Sequence, residues 1–157
     1  MTSIAVHRSP SLVAAAIVLS GCETVPEPAA DSFDATLSRH INAIQSRDMA
    51  GMEATITLGD ELVLIFPDGE RLSTREEYLD FHRSWFADNR WVMTLEPVSQ
   101  WKGSDYGYAL FRYVYDPDGP GDLPGKPSYL SLGFRLENGG WRLVHDQNTR
   151  IEQQSAP

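Results

Sequence analysis

The stretch that decides the fold is "GGWRLVHDQNTR", residues 139–150. Asn138 precedes it, and an Asn-Gly pair suits a two-residue hairpin turn, whose central positions both take positive φ. The residues after the turn predict a final strand over 140–150. His145 and Asp146 are adjacent in it, and a histidine beside an aspartate raises the question of acid–base chemistry. On a strand, neighbouring side chains point to opposite faces, so these two cannot act on each other as a pair. Strict alternation puts Trp141, Leu143, His145 and Gln147 on one face and Arg142, Val144, Asp146 and Asn148 on the other. The first set is the more apolar and is expected to face inward.

Three more strands precede it. Residues 129–136 alternate Leu130, Leu132, Phe134 and Leu136 with Tyr129, Ser131, Gly133 and Arg135. Segments 106–115 and 91–101 complete a meander of four. Segment 106–115 carries Tyr106, Tyr108, Leu110 and Val114 on one face and Phe111, Tyr113 and Tyr115 on the other. A strand apolar on both sides calls for cover on both. Helices can cover one face, and a second subunit the other, so a homodimer through the sheet is expected. Arg112 shares its face with Tyr106, Tyr108 and Leu110. It reads either as a ligand arginine for a carboxylate or phosphate or as an arginine extended to the rim.

Upstream, Phe33, Leu37, Ile41 and Ile44 recur at helical spacing from Asp31 to Ser46, with Asp31 or Ser32 as cap. A second short helix is predicted over 48–56, with Met49, Met52 and Ile56 on one side. "ELVLIFPDGERLS" reads as strand, Pro-Asp-Gly turn and strand, with Asp68 a turn former and Asp60 and Glu61 a solvated entry. "STREEYLDFHRSWFADN" opens with a capping box, Thr74 with Glu77 or Ser73 with Glu76, and carries Tyr78, Phe81 and Trp85 as an aromatic stripe. The order is helix, helix, strand, strand, helix and four strands. Helices are segregated from an antiparallel sheet that should curl around them, which is an α+β fold.

This order, with "STREEYLDFHRSWF" on the third helix and "WRLVHDQNT" on the last strand, resembles the nuclear transport factor 2-like superfamily, and most of all its SnoaL-like branch. The resemblance spans about residues 32–152. It implies a cone-shaped, cystatin-like fold in which a curved sheet wraps about three helices around an apolar pocket. Pocket candidates are Phe66, Phe81, Trp85, Tyr108, Arg112, Trp141, His145 and Gln147. Among enzymes of this fold, ketosteroid isomerases place a base aspartate before a proline near the end of the first strand. The matching residue here is Phe66, before Pro67, which cannot take a proton.

The N-terminus carries a separate message. "MTSIAVHRSPSLVAAAIVLSGC" has Arg8 and no acid, then an apolar run, Leu12 to Leu19, too short for a bilayer span of about 20 residues. Its end, Leu19-Ser20-Gly21-Cys22, resembles the lipobox of bacterial lipoproteins. That implies cleavage of residues 1–21, acylation of Cys22 and a lipidated tether over 22–31, followed by the domain at 32–152 and a tail at 153–157. Glu23 after the cysteine implies the outer membrane, facing the periplasm, in a Gram-negative cell. Several acyl chains would matter, because one alone binds membranes only marginally.

The chain has 157 residues, with a formal net charge of −9, and Cys22 is its single cysteine. The charge argues against nucleic acid, which needs a basic footprint. His40, His82 and His145 are not at ligand spacing, so no metal is expected. "DPDGPGD" fails as a calcium loop because Pro120 and Pro127 stand where oxygen ligands belong. No cofactor motif is present. The stretch 116–128 is long for a hairpin and reads as an acidic surface loop, a pocket lid or a partner contact. The expected function is a lipid-anchored envelope protein that binds a small apolar or amphipathic ligand. Two alternatives stand beside it: a cyclase, isomerase or hydratase with scattered acid–base residues, and a non-catalytic dimerisation or interaction module.

Overall fold

The computed structural model describes residues 32–119 and 125–152. The signal, Cys22, the tether and the tail lie outside them.

Three helices form where apolar spacing and caps coincide. α1 (Phe33–Ser46) starts on Ser32, whose hydroxyl accepts from the Ala35 amide, and ends at Arg47 in the left-handed region. α2 (Met49–Thr55) is capped by Asp48. α3 (Arg75–Ala87) is capped by Thr74 with the reciprocal Glu77 contact, so one of the two expected boxes forms. Six strands follow the expected order: β1 (Glu61–Ile65), β2 (Arg71–Thr74), β3 (Val92–Lys102), β4 (Tyr106–Asp116), β5 (Pro127–Glu137) and β6 (Gly140–Arg150). Asn138 and Gly139 both take positive φ, as the turn chemistry demands.

The strands form one sheet in the order β2-β1-β6-β5-β4-β3. β1 lies parallel to β6, and the other neighbours are antiparallel. The fold is the expected α+β one, a curved and mainly antiparallel sheet with three helices. Its core joins Leu37, Ile44, Met52, Ile56, Leu62, Tyr78, Leu132, Phe134 and Leu143. At one end Phe33 packs edge-on against both Phe134 and Trp141. Gly107 gives that ring its room, since a Cβ there would come within 2.5 Å of it.

Simple alternation fails on β6. Gly133 pairs with His145, but the next residue of β5, Phe134, pairs with Leu143. Val144 is an extra residue, a β-bulge, and it reverses which face each following side chain takes. Leu143 and Asp146 are therefore the buried residues, not Leu143 and His145. His145 and Gln147, expected inward, stand on the face turned away from the helices.

β4 resolves the other open assignment. Gly107, Ala109, Phe111 and Tyr113 are buried against the helices. Tyr108 and Arg112, expected in the pocket, are on the outer face, where Arg112 meets Glu96 at 3.4 Å. The connection expected over 116–128 is shorter, because β4 runs through Asp116 and β5 begins at Pro127. The Asp116 carboxylate accepts from the Gly125 amide at 2.6 Å and ties the loop's base.

Candidate functional site

A cavity of about 310 Å³ opens between α3, the C-terminal end of β1 and the inner faces of β3 to β6. Pockets that hold small molecules are of roughly this size or larger, about 300–1,000 Å³. Its floor is fully buried: Ile44, Leu64, His82, Leu130 and Asp146. Its mouth is half-buried and aromatic, with Phe66, Phe81, Trp85 and Tyr115 around Met93.

Each wall follows from local sequence. The stripe spacing of α3 turns Phe81, His82 and Trp85 toward the sheet. Phe66 leaves β1 just before Pro67 and packs edge-on to Phe81 at 5.0 Å. Trp85 stacks on Trp91 at 4.4 Å and donates its Nε1–H to the Tyr115 hydroxyl at 3.2 Å. On the sheet, Met93 opposite Tyr115 and Leu64 beside Asp146 are paired positions, so the register brings them to one surface.

Asp146 is the polar centre of the floor, with only 3% of its surface exposed. Its Oδ2 accepts from the Tyr78 hydroxyl at 3.3 Å and its Oδ1 from Asn148 Nδ2 at 3.1 Å. Burial pushes its pKa up to about 7, and the two hydrogen bonds oppose that rise without cancelling it. The Tyr78 phenol is itself buried beside this carboxyl, which holds its pKa well above the ordinary value.

His82 is the second ionisable group of the floor. Its Nδ1 lies 2.8 Å from the Tyr78 carbonyl oxygen, which can only accept, so Nδ1 carries the proton. In the neutral ring Nε2 then holds the lone pair. Burial lowers its pKa to about 4, so it is neutral near pH 7. Behind it, His40 donates from Nδ1 to Thr55, whose hydroxyl is committed to the Gly51 and Met52 carbonyls. Burial, with His82 nearby, lowers the His40 pKa to about 3.

Of the eight pocket candidates, Phe66, Phe81 and Trp85 line the cavity. Trp141 faces inward but is packed on Phe33 away from it. Tyr108, Arg112, His145 and Gln147 are on the outer face. His145 and Gln147 do sit together, at 3.4 Å, but as partly buried neighbours outside the cavity. The residues missed are Asp146, Asn148, His82, Tyr113 and Tyr115. For the first two no signal lies within the strand itself, because the bulge that turns them inward shows only in the pairing with β5. Among the described residues no cluster of side chains is arranged to hold a metal.

A SnoaL-like domain model matches residues 34–148. No curated protein matches the sequence. Several solved structures share the fold. A proposed calcium/calmodulin-dependent protein kinase type II association domain from Thiobacillus denitrificans superposes with a TM-score of 0.67 at 22% identity, covering 80% of this chain and 100% of that one. A proposed dehydratase of the nuclear transport factor 2-like family from Streptomyces avermitilis gives 0.62 at 15% identity, over 75% of this chain and 92% of that one. An uncharacterised protein with a cystatin-like fold from Caulobacter vibrioides gives 0.61 at 16% identity, over 76% and 87%. At these identities the likeness speaks for the fold alone.

Proposed function

This chain belongs to the SnoaL-like domain family of the nuclear transport factor 2-like superfamily, and from that premise we propose that it is an enzyme moving protons on a small, mostly apolar substrate. Asp146 is the proposed acid–base group. The observation that carries this is a buried carboxyl with a pKa of about 7 on the floor of an aromatic cavity. A catalytic acid or base works best when its pKa lies near the working pH. Two convergent polar groups with displaced pKa values, Asp146 and His82, line one cavity, and such pairs favour function over plain structure.

The chemistry follows from the contacts. Tyr78 and Asn148 each fill one lone pair on a carboxylate oxygen and leave one on each free. The ionised carboxylate takes a proton from a carbon beside a carbonyl. It then returns that proton to another carbon, as in isomerisation, or to a departing hydroxyl that leaves as water. Tyr78 and Asn148 are positioning residues, since they touch Asp146.

The test is a panel of small ketones, epoxides and β-hydroxy carbonyl compounds followed by NMR in deuterated water. Turnover should inflect near pH 7 and fall by about 10²-fold or more in Asp146→Asn. Binding of these compounds without any turnover would leave a ligand-binding protein instead.

Two further proposals concern where the domain works. We propose that residues 1–21 are a lipoprotein signal and that Cys22 is acylated, tethering domain 32–152 to the cell envelope through 22–31. Support comes from the sequence alone: Arg8, the short apolar run, the small residues and the single cysteine. We also propose that the outer sheet face meets a second copy. Trp101 and Tyr106 are exposed near one another on that face, 61% and 42%, with Tyr129 exposed at 37% toward its other end, and exposed aromatics of this kind favour an interface.

A further inference from the structure

The cavity's hydrogen-bonding groups are unevenly spent. Its N–H donors are already given to the protein: Trp85 Nε1 to Tyr115, Asn148 Nδ2 to Ile65 and Asp146, and His82 Nδ1 to the Tyr78 carbonyl. What faces the space is mostly acceptor: the Asp146 carboxyl, the His82 Nε2 lone pair and the faces of aromatic rings. The Tyr115 hydroxyl accepts from Trp85 and keeps its own O–H. No lysine or arginine is among the described lining residues. Arg150 shares the strand face of Asp146 and Asn148, but it is exposed and lies outside the lining. Asp146 thus has neutral hydrogen-bond partners and no counter-ion.

From this we propose that the cavity takes a compact hydrophobic organic cation, a protonated or quaternary amine, with its charge beside Asp146 and its alkyl groups against Phe66, Phe81, Trp85 and Tyr115. The proposal rests on the reading of this cavity as the ligand site and names the ligand's charge. An isolated buried carboxylate is costly, and a bound cation supplies the missing partner. Aromatic faces attract cations, most of all when water is excluded. Anionic ligands are disfavoured by the same groups. A bound cation also holds Asp146 ionised, so in the proposed reaction it enters as a base.

The experiment compares choline with its uncharged isostere 3,3-dimethylbutan-1-ol, titrated calorimetrically against the protein at pH 8. Choline should bind about tenfold tighter, the equivalent of roughly 1.4 kcal/mol. Asp146→Asn should remove that preference. A second readout needs no variant. At pH 7, titration in two buffers of different ionisation heat should show roughly half a proton released per choline, as Asp146 ionises, and none per alcohol. Equal or tighter binding of the alcohol, or a preference for choline that persists in Asp146→Asn, overturns the proposal and leaves the ligand site standing. If neither compound binds, the cation proposal falls, and the ligand-site reading is decided by the carbonyl panel.

Discussion

The hydroxyl of Tyr78, on the third helix, donates to Oδ2 of Asp146, on the last strand, at 3.3 Å, although the two are 68 residues apart. This bond holds the cavity's acid in place from the helix side and opposes the rise in its pKa. Tyr78→Phe removes the donor and keeps the ring. The Asp146 pKa should then climb further above 7, read by carboxyl carbon NMR over a pH titration. An unchanged value would mean that the hydroxyl does not serve Oδ2 in solution.

Stability should fall on mild acidification, with a slope set by three buried groups. His40 and His82 keep pKa values of about 3 and about 4 in the fold, against 6.5 when unfolded. Their contribution is complete above pH 6.5 and is lost as pH falls toward those values. Asp146 works the other way. Folded, it holds its proton up to about 7, and unfolded it releases it near 3.8, so its contribution is present at low pH and is lost as pH rises through that range. Between pH 4.5 and 6 the unfolded chain gains two histidine protons and lacks one carboxyl proton. Urea unfolding should therefore lose about 1.4 kcal/mol per pH unit on descent, the weight of one net proton.

Asp146→Asn tests the opposition directly. The variant keeps a polar group of similar size but removes the carboxyl proton from the balance. The slope over the same window should steepen to about 2.7 kcal/mol per pH unit, since both histidines then act unopposed. Parallel curves for variant and wild type would mean that Asp146 ionises in the fold as it does in the open chain.

Gly107→Ala should destabilise the protein by about 1–3 kcal/mol in urea unfolding, the usual effect of overpacking. The added methyl meets the Phe33 ring, which is itself held by Phe134 and Trp141 and has little room to move. Pairing Gly107→Ala with Phe33→Leu should recover part of the loss. Additive effects in the double variant would point to a different clash.

The lipid anchor is open to metabolic labelling with an alkynyl fatty acid in a bacterial host. The wild-type chain should carry the label and sediment with membranes. Cys22→Ser should lose both. An unlabelled wild-type chain would remove the anchor and the envelope location together.

Much of the fold was legible because local chemistry and periodicity agreed. Ser32, Thr74 with Glu77, and Asn138-Gly139 mark element ends through contacts made within a few residues. The clean alternation of Leu130, Leu132 and Phe134 survives intact in β5. The cavity was legible where it is built from the helix, at Phe81 and Trp85, and where a turn ejects a ring, at Phe66. It was misread on β6, because alternation carries a face assignment only as far as the pairing stays in register. The bulge at Val144 is fixed by the partner strand, whose Gly133 and Phe134 are consecutive while His145 and Leu143 are not. On β4, both faces are aromatic, so nothing within the strand says which one the helices cover.

The extra residue at Val144 also means that this strand holds two alternative sets of polar groups in one stretch of sequence. In the present register Asp146 and Asn148 look inward, while His145 and Gln147 look out. Deleting Val144 would close the bulge and leave that choice as it is, because Leu143 and His145 would then be consecutive opposite Phe134 and Gly133, with Asp146 still inward opposite Leu132. Loss of that codon would straighten the strand without exchanging the acid for the imidazole, so the cavity's chemistry is insulated from the one irregularity that interrupts it.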